Sequence, residues 1–190
     1  MITTNSQFIY DIALPQTDQN IGLGEELKNY TTVLEPKFLT AVLGYSMYKD
    51  LVTHSLDGSG QWYDFINGNE FVDDLGLTTL WNGFKTIGSN PIAYFIYFEW
   101  VREHQTTLTS LGTSQAAMQN SQLVSPNDKL VGAWNKMVEL LWVMDDYLQK
   151  NSSLFPNYIG IDYPPFKTYG NDASGHANND YFQTINAMLI

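Results

Sequence analysis

Cysteine is absent from the 190 residues. That excludes disulfide staples, thiolate catalysis and cysteine-based zinc sites. Charge is also scarce: Asp, Glu, Lys and Arg make up 15% of the chain, against a usual share of about 25%. Positive charge is the scarcest, with 9 Lys and Arg facing 20 Asp and Glu, a net charge of -11. Reading or wrapping nucleic acid needs a basic footprint for the phosphates, and the scattered basic residues do not supply one. An acidic wall beside a DNA passage stays compatible, because repulsion keeps DNA from sticking. No basic stretch followed by a long apolar run opens the sequence, so no signal peptide is expected. The most apolar window, residues 91–101, is about half a membrane span and contains Glu99. The expectation is a soluble protein made in a cytosol.

The chain is rich instead in apolar and aromatic residues, 44% and 14%, enough for one domain with a real core. Low charge among many Asn, Gln, Ser, Thr and Tyr implies polar but uncharged contact surfaces. Residues 105–127 contain no ionisable side chain at all. Long loops without structure of their own are uncommon in compact domains, so this stretch reads as an interaction loop. Residues 151–190 read as a C-terminal arm. Pro156, Gly160, Pro164, Pro165, Gly170 and Gly175 interrupt regular structure there, yet Phe155, Tyr158, Ile161, Tyr163, Phe166, Tyr169, Tyr181 and Phe182 are sticky. The arm either packs on its own core or lies on another subunit.

Between these segments the expected fold is mainly α, a bundle of four to five helices. Residues 1–24 read as an extended N-terminal segment, residues 25–150 as the helical domain. Leu27, Tyr30, Leu34, Phe38 and Val42 form a helical stripe. Pro36 inside it predicts a short helix over 25–32 and a second from Leu34. Gly44 predicts a C-terminal cap, and Ser46 the cap of the next helix, carrying Met47, Tyr48, Leu51 and Val52. Trp62, Phe65 and Ile66 predict a turn or two of helix. Glu70, Phe71 and Val72, between turn signals, predict one strand of a small hairpin. Residues 79–87 read as a helix with Leu80, Trp81 and Phe84 on one side. Asn90 followed by Pro91 predicts the start of a buried central helix running to about Thr106. Ser125, Pro126 and Asp128 predict the start of the last helix, which runs to about Gln149. Its stripe is Leu130, Trp134, Met137, Leu141, Met144 and Leu148.

Few residues carry obvious chemistry. Glu99, Glu103 and His104 share one helix, with Asp145 and Asp146 on another. Di-iron bundles use Glu-x-x-His spacing from facing helices. Here the histidine directly follows Glu103, about 100° away around the helix. A small helical metal-binding enzyme using Glu99, Glu103, His104 and Asp145 is therefore the alternative reading, against polar-surface or paired roles. His54 and His176 lie in loops without a nucleophile partner. The Gly58-Ser59-Gly60 turn lacks the lysine of a phosphate loop. Trp81, Trp100 and Trp134 sit on helix stripes, where core packing outweighs base or sugar stacking. No cofactor and no catalytic set is expected.

The order of motifs resembles the head–tail connector, or head-completion adaptor, proteins of tailed bacteriophages, in the versions from phages of Bacteroidetes hosts. The resemblance rests on Glu35-Pro-Lys-Phe-Leu-Thr-Ala-Val-Leu-Gly44-Tyr-Ser-Met-Tyr48-Lys-Asp-Leu51, then Trp81-Asn-Gly-Phe84. The aromatic helix with Tyr94, Tyr97 and Phe98 comes next, then residues 109–121 and the helix from Pro126. It covers about residues 27–148. It implies a structural virion protein at the head–tail junction, made in the host cytoplasm. In that family the protein forms a ring of commonly twelve copies below the portal and extends the channel through which DNA passes without specific binding. Portal protein, tail or further connector proteins and neighbouring copies are the implied partners, with no membrane involved. The expected contact residues are Leu111, Met118, Leu123, Tyr158, Tyr163, Phe166, Tyr181 and Phe182. A cytosolic interaction module unrelated to phage is a third class.

Overall fold

The computed structural model describes residues 1–14, 21–104, 106–109, 112–115 and 127–161. Among them the fold is mainly α, as the stripes and caps predict. Five helices occur: α1 (Ile21–Leu43), α2 (Tyr45–His54), α3 (Gln61–Asn67), α4 (Pro91–His104) and α5 (Asn127–Lys150). Two antiparallel hairpins accompany them. One pairs β1 (Asn69–Val72) with β2 (Thr78–Trp81), the other β3 (Thr106–Thr109) with β4 (Gly112–Gln115).

The centre is α4, buried from Pro91 through Tyr97 and again at Trp100. It packs between α1 and α5. Phe38 meets Phe95 with ring centroids 4.9 Å apart, and Phe98 meets Trp134 at the same distance. The α5 stripe holds as spaced, with Leu130, Trp134, Met137, Leu141, Met144 and Leu148 all buried. Its expected cap, Ser125 and Pro126, lies outside the described residues.

Three expectations are corrected. First, α1 runs unbroken through Pro36. An interior proline costs about 3 kcal/mol. Leu27 before it and Phe38, Leu39, Val42 and Leu43 after it are buried, each contributing roughly 1.5–3 kcal/mol, so packing outweighs the break. The hydroxyls of Thr31 and Thr32 donate to the carbonyls of Leu27 and Lys28, both at 2.8 Å. This back-bonding bends helices, and it falls just ahead of the proline. Second, Gly44, at φ +78°, ends α1 and also serves as the N-cap of α2. Ser46 therefore lies inside α2 and does not cap it. Third, residues 79–87 form no helix. They supply β2 and a tight turn, because short apolar runs fit either period and tertiary bonds decide. The Trp81 indole N–H donates to the Phe65 carbonyl at 2.7 Å, and the Phe84 N–H to the Ile66 carbonyl at 2.8 Å. Trp81 and Phe84 are buried as expected, while Leu80 faces outward.

The ends of the described chain also belong to the core. Residues 1–14 contain two 3-10 turns, Asn5–Gln7 and Tyr10–Ile12, and bury Thr3, Gln7, Phe8 and Ile12. The Glu35 carboxylate accepts the Ile2 and Thr3 N–H groups at 2.8 and 2.7 Å. Beyond α5, Phe155 is buried in a ring cluster with Trp62, Phe65 and Tyr147. The arm read from residue 151 is thus part of the domain at least through Phe155.

Candidate functional site

Among the described residues, the β1–β2 hairpin exposes four large apolar side chains. In its register Phe71 pairs with Thr79 and Asn69 with Trp81, while Glu70 pairs with Leu80 and Val72 with Thr78. Strand alternation puts Phe71 and Trp81 inward, where Phe71 packs edge-on against Tyr147 at 5.6 Å. Val72 and Leu80 then face solvent, joined at the tip by Leu75 and Leu77, with Leu75 83% exposed. The tip is held firmly. One Asp73 oxygen accepts the Leu75 and Leu77 N–H groups at 2.9 and 2.8 Å, and the other accepts the Thr79 hydroxyl at 3.2 Å. The Leu77 N–H, ahead of the other contacts, holds the Asp73 carboxyl below its ordinary range. Lys150, at the end of α5, pairs with Asp74 in the same turn, and this bond pushes the Lys150 ammonium up. Sequence reasoning reads this region as turn and strand. The signal for its exposed face was Leu75-Gly76-Leu77 inside a turn.

The segment read as an uncharged loop contains β3 and β4, aligned Thr106 to Gln115 and Thr109 to Gly112. Threonine-rich runs without charge suit strands. Of the expected contact residues, Tyr158 alone lies among the described ones. It is half-buried against the core, and its hydroxyl bonds to the Asp145 carboxylate. Leu111, Met118, Leu123, Tyr163, Phe166, Tyr181 and Phe182 lie outside the described residues.

The four residues of the metal reading are not brought together into one site. Glu99 pairs with Arg102, one turn away. Glu103 accepts the Tyr30 hydroxyl. His104 stacks on Trp100 with ring centroids 4.1 Å apart, and its Nδ1 and Nε2 lie 2.8 Å from the Trp100 carbonyl and 3.1 Å from Glu26. Asp145 accepts Tyr158 and the Gln149 amide. Among the described residues no three His, Asp or Glu side chains gather as metal ligands.

Basic residues are spread as the sequence implies. Lys150, Arg102 and Lys136 each face one carboxylate, while Lys28 and Lys37 lie on α1, Lys49 on α2, Lys85 in the turn after β2 and Lys129 on α5. No helix among the described residues is long and apolar enough to cross a membrane. No known protein-family model matches the chain, and no curated protein or solved structure matches it either.

Proposed function

We propose that this chain is a structural virion protein, a copy of a ring that joins a phage capsid to its tail below the portal. The observation that carries the reading is the order of motifs from Glu35 to the α5 helix, which resembles the connector proteins. Three physical features support it. The domain is a small helical unit with four exposed apolar side chains, Val72, Leu75, Leu77 and Leu80, on its β1–β2 hairpin. Contiguous exposed apolar surface marks contact sites more often than chance. Residues 105–127 carry no charge, which suits burial between proteins. The net charge of -11 suits a channel that DNA must pass without adhering.

In this reading Leu111, Met118 and Leu123 on the uncharged segment, and Tyr181 and Phe182 near the chain end, contact neighbouring copies, the portal or the next tail component. The role is non-catalytic, and the protein is made in the host cytoplasm before joining the particle. The test is mass spectrometry and electron microscopy of purified tailed particles that encode this chain. A fixed multiple of copies at the head–tail vertex is the expected result. Its absence from finished particles would overturn the proposal.

A further inference from the structure

A recess and a projection on this chain match in shape. An open groove of about 750 Å³ lies where α1 gives way to α2. Pro36 and Ala41 line it from α1, Tyr45 from α2, and Pro156 and Ile159 from the stretch beyond α5. Tyr45 and Ile159 are 70% and 55% exposed, so the recess is apolar and open to the outside. The β1–β2 hairpin is the projection. Leu75 and Leu77 stand out at its tip, with Val72 and Leu80 on its outward face. The Asp73 turn holds them in place. Within one chain the two do not meet: the leucines stay exposed and the groove stays open.

Charge matches as well. Residues 69–81 carry Glu70, Asp73 and Asp74 and no basic residue. Asp73 is taken up by its own turn and Asp74 by Lys150. Glu70 makes no ion pair with a described residue. Register and strand alternation put Glu70 on the same outward face as Val72 and Leu80. The groove offers the opposite sign. Lys37 lines it, and Lys49 follows Tyr45 by one turn of α2. Neither lysine pairs with a described carboxylate. The neighbouring Asp50 carboxylate accepts the Asn157 amide at 2.7 Å, and the two lysines leave the rim net positive. Rim charges of this kind orient a partner and set its register.

We propose that the groove receives the hairpin of a second copy of this chain, with Leu75 and Leu77 against Tyr45 and Ile159 and Glu70 toward Lys37 and Lys49. Such a contact is heterologous. Each copy gives one hairpin and receives one, so the copies close into a ring or run on as a filament. The inference rests on the connector reading for the ring, and it names the contact between neighbours. A hairpin tip buries less than the roughly 800 Å² per partner of a standard interface. Free copies therefore associate weakly, and ring closure, which holds every copy twice, supplies the stability.

The chain has no cysteine, so placed thiols report the contact cleanly. Full-length Leu75→Cys and Tyr45→Cys chains, both changed at exposed positions, are mixed at near-millimolar concentration. A short bifunctional maleimide links them, because it reaches beyond the roughly 7 Å Cα separation that a disulfide allows. The mixed pair is expected to link about tenfold faster than either variant alone. A chain carrying both thiols should give a ladder of linked copies, at a rate that rises with chain concentration. Glu70→Lys on the hairpin chain should slow the mixed pair by about two- to fivefold, the scale of an exposed ion pair. Lys37→Glu with Lys49→Glu on the groove chain should restore it. Leu75→Cys chains that link chiefly to one another would overturn the proposal in favour of a symmetric hairpin contact. Linking within one copy, equal linking of all pairs, or no linking would overturn it too. Finished particles that hold the doubly substituted chain at the vertex without this link would sink the contact and leave the connector reading standing. The link in a chain absent from particles would do the reverse.

Discussion

The side-chain amide of Asn90 donates to the Gln7 side-chain carbonyl oxygen at 2.8 Å, across 83 residues of chain. Asn90 is fully buried, and its Oδ1 also accepts the Ile92 N–H at 2.9 Å, capping α4. Gln7 in turn donates to the Phe84 carbonyl at 2.7 Å. One residue therefore starts the central helix and ties the N-terminal segment to it. Asn90→Ala removes the cap, worth about 1 kcal/mol. It also leaves the buried Gln7 oxygen without this donor, at roughly 1–3 kcal/mol. A loss of about 2–4 kcal/mol in urea unfolding is expected. Asn90→Asp keeps the cap but sets a buried carboxylate oxygen against the Gln7 side-chain oxygen, so it should lose at least as much as Asn90→Ala. An Asn90→Ala chain as stable as the parent would contradict the network.

Two glycines should respond oppositely to alanine. Gly83 has φ +72°, and a Cβ there would lie 2.4 Å from the Asn67 carbonyl carbon and from the Gly68 nitrogen. Those are backbone atoms in the turn that seats Trp81 and Phe84, so nothing flexible can yield. Gly83→Ala should cost several kcal/mol, about 1–2 of it from the left-handed backbone alone. Gly132 lies inside α5 with nothing within 4 Å of its Cβ position. Gly132→Ala should stabilise by about 0.5–1 kcal/mol through helix propensity. Melting temperatures that moved the same way for both would refute this pairing of opposite effects.

Trp134 and Trp142 lie on the same helix and should differ sharply. Trp134 is buried against Phe98, whereas Trp142 is 59% exposed. Trp134→Ala should cost roughly 3–5 kcal/mol, the range for a buried large aromatic. Trp142→Ala should stay near about 0.5 kcal/mol, the scale of ordinary surface changes. Denaturant midpoints at equal slope would check both, and a Trp134→Ala loss below about 1 kcal/mol would show that the α4–α5 contact is loose.

The helices were legible where caps and stripes coincided. Asn90-Pro91 marks the start of α4, and the three-four spacing from Leu130 to Leu148 marks α5. Legibility ended where long-range contacts override local signals. Nothing near Pro36 announces that Phe38 and Leu39 will be buried strongly enough to carry α1 through it. Nothing in the run from Thr79 reveals that the Trp81 indole will find the Phe65 carbonyl. The buried roles of Thr3 and Gln7 were invisible because their partners, Glu35 and Asn90, lie far along the chain. For the candidate surface, composition marked the uncharged stretch but not the hairpin, whose exposed face showed in sequence only as Leu75 and Leu77 flanking Gly76 in a turn.

The boundary of the C-terminal arm can be tested by where the chain is cut. Phe155 is 2% exposed, with the Trp62 and Phe65 ring centroids 5.3 and 5.5 Å from its own. Its N–H donates to the Asn151 carbonyl at 3.1 Å. A chain ending at Lys150 loses this ring and should be destabilised by roughly 3–5 kcal/mol, as should Phe155→Ala in the full chain. A chain ending at Ile161 keeps it and should retain the helical circular dichroism and cooperative unfolding of the parent. Equal stability of the two truncations would show that Phe155 contributes nothing to the core.

Alkali should unfold this protein before it deprotonates the buried tyrosines of the folded state. Burial pushes the Tyr94 phenol up to about 12, helped by the nearby Asp11 carboxylate. Burial also raises Tyr147 to about 12, with a smaller contribution from Asp64. In the unfolded chain both ionise near the ordinary phenol value of 10.0. A phenol with a raised folded value stabilises the fold fully below the unfolded value, and that stability is lost as pH rises through the folded one. The vulnerable window therefore runs from pH 10.0 to about 12 and leaves neutral pH untouched. Each shift is worth roughly 2–3 kcal/mol at about 1.4 kcal/mol per unit. Tyr147→Phe removes the ionisable group from the aromatic cluster while keeping its ring. Its stability relative to the parent should rise by that amount between neutral pH and the top of the window, measured by urea unfolding at each pH. A Tyr147→Phe difference that stayed constant across the window would mean the Tyr147 hydroxyl is not held protonated by its surroundings.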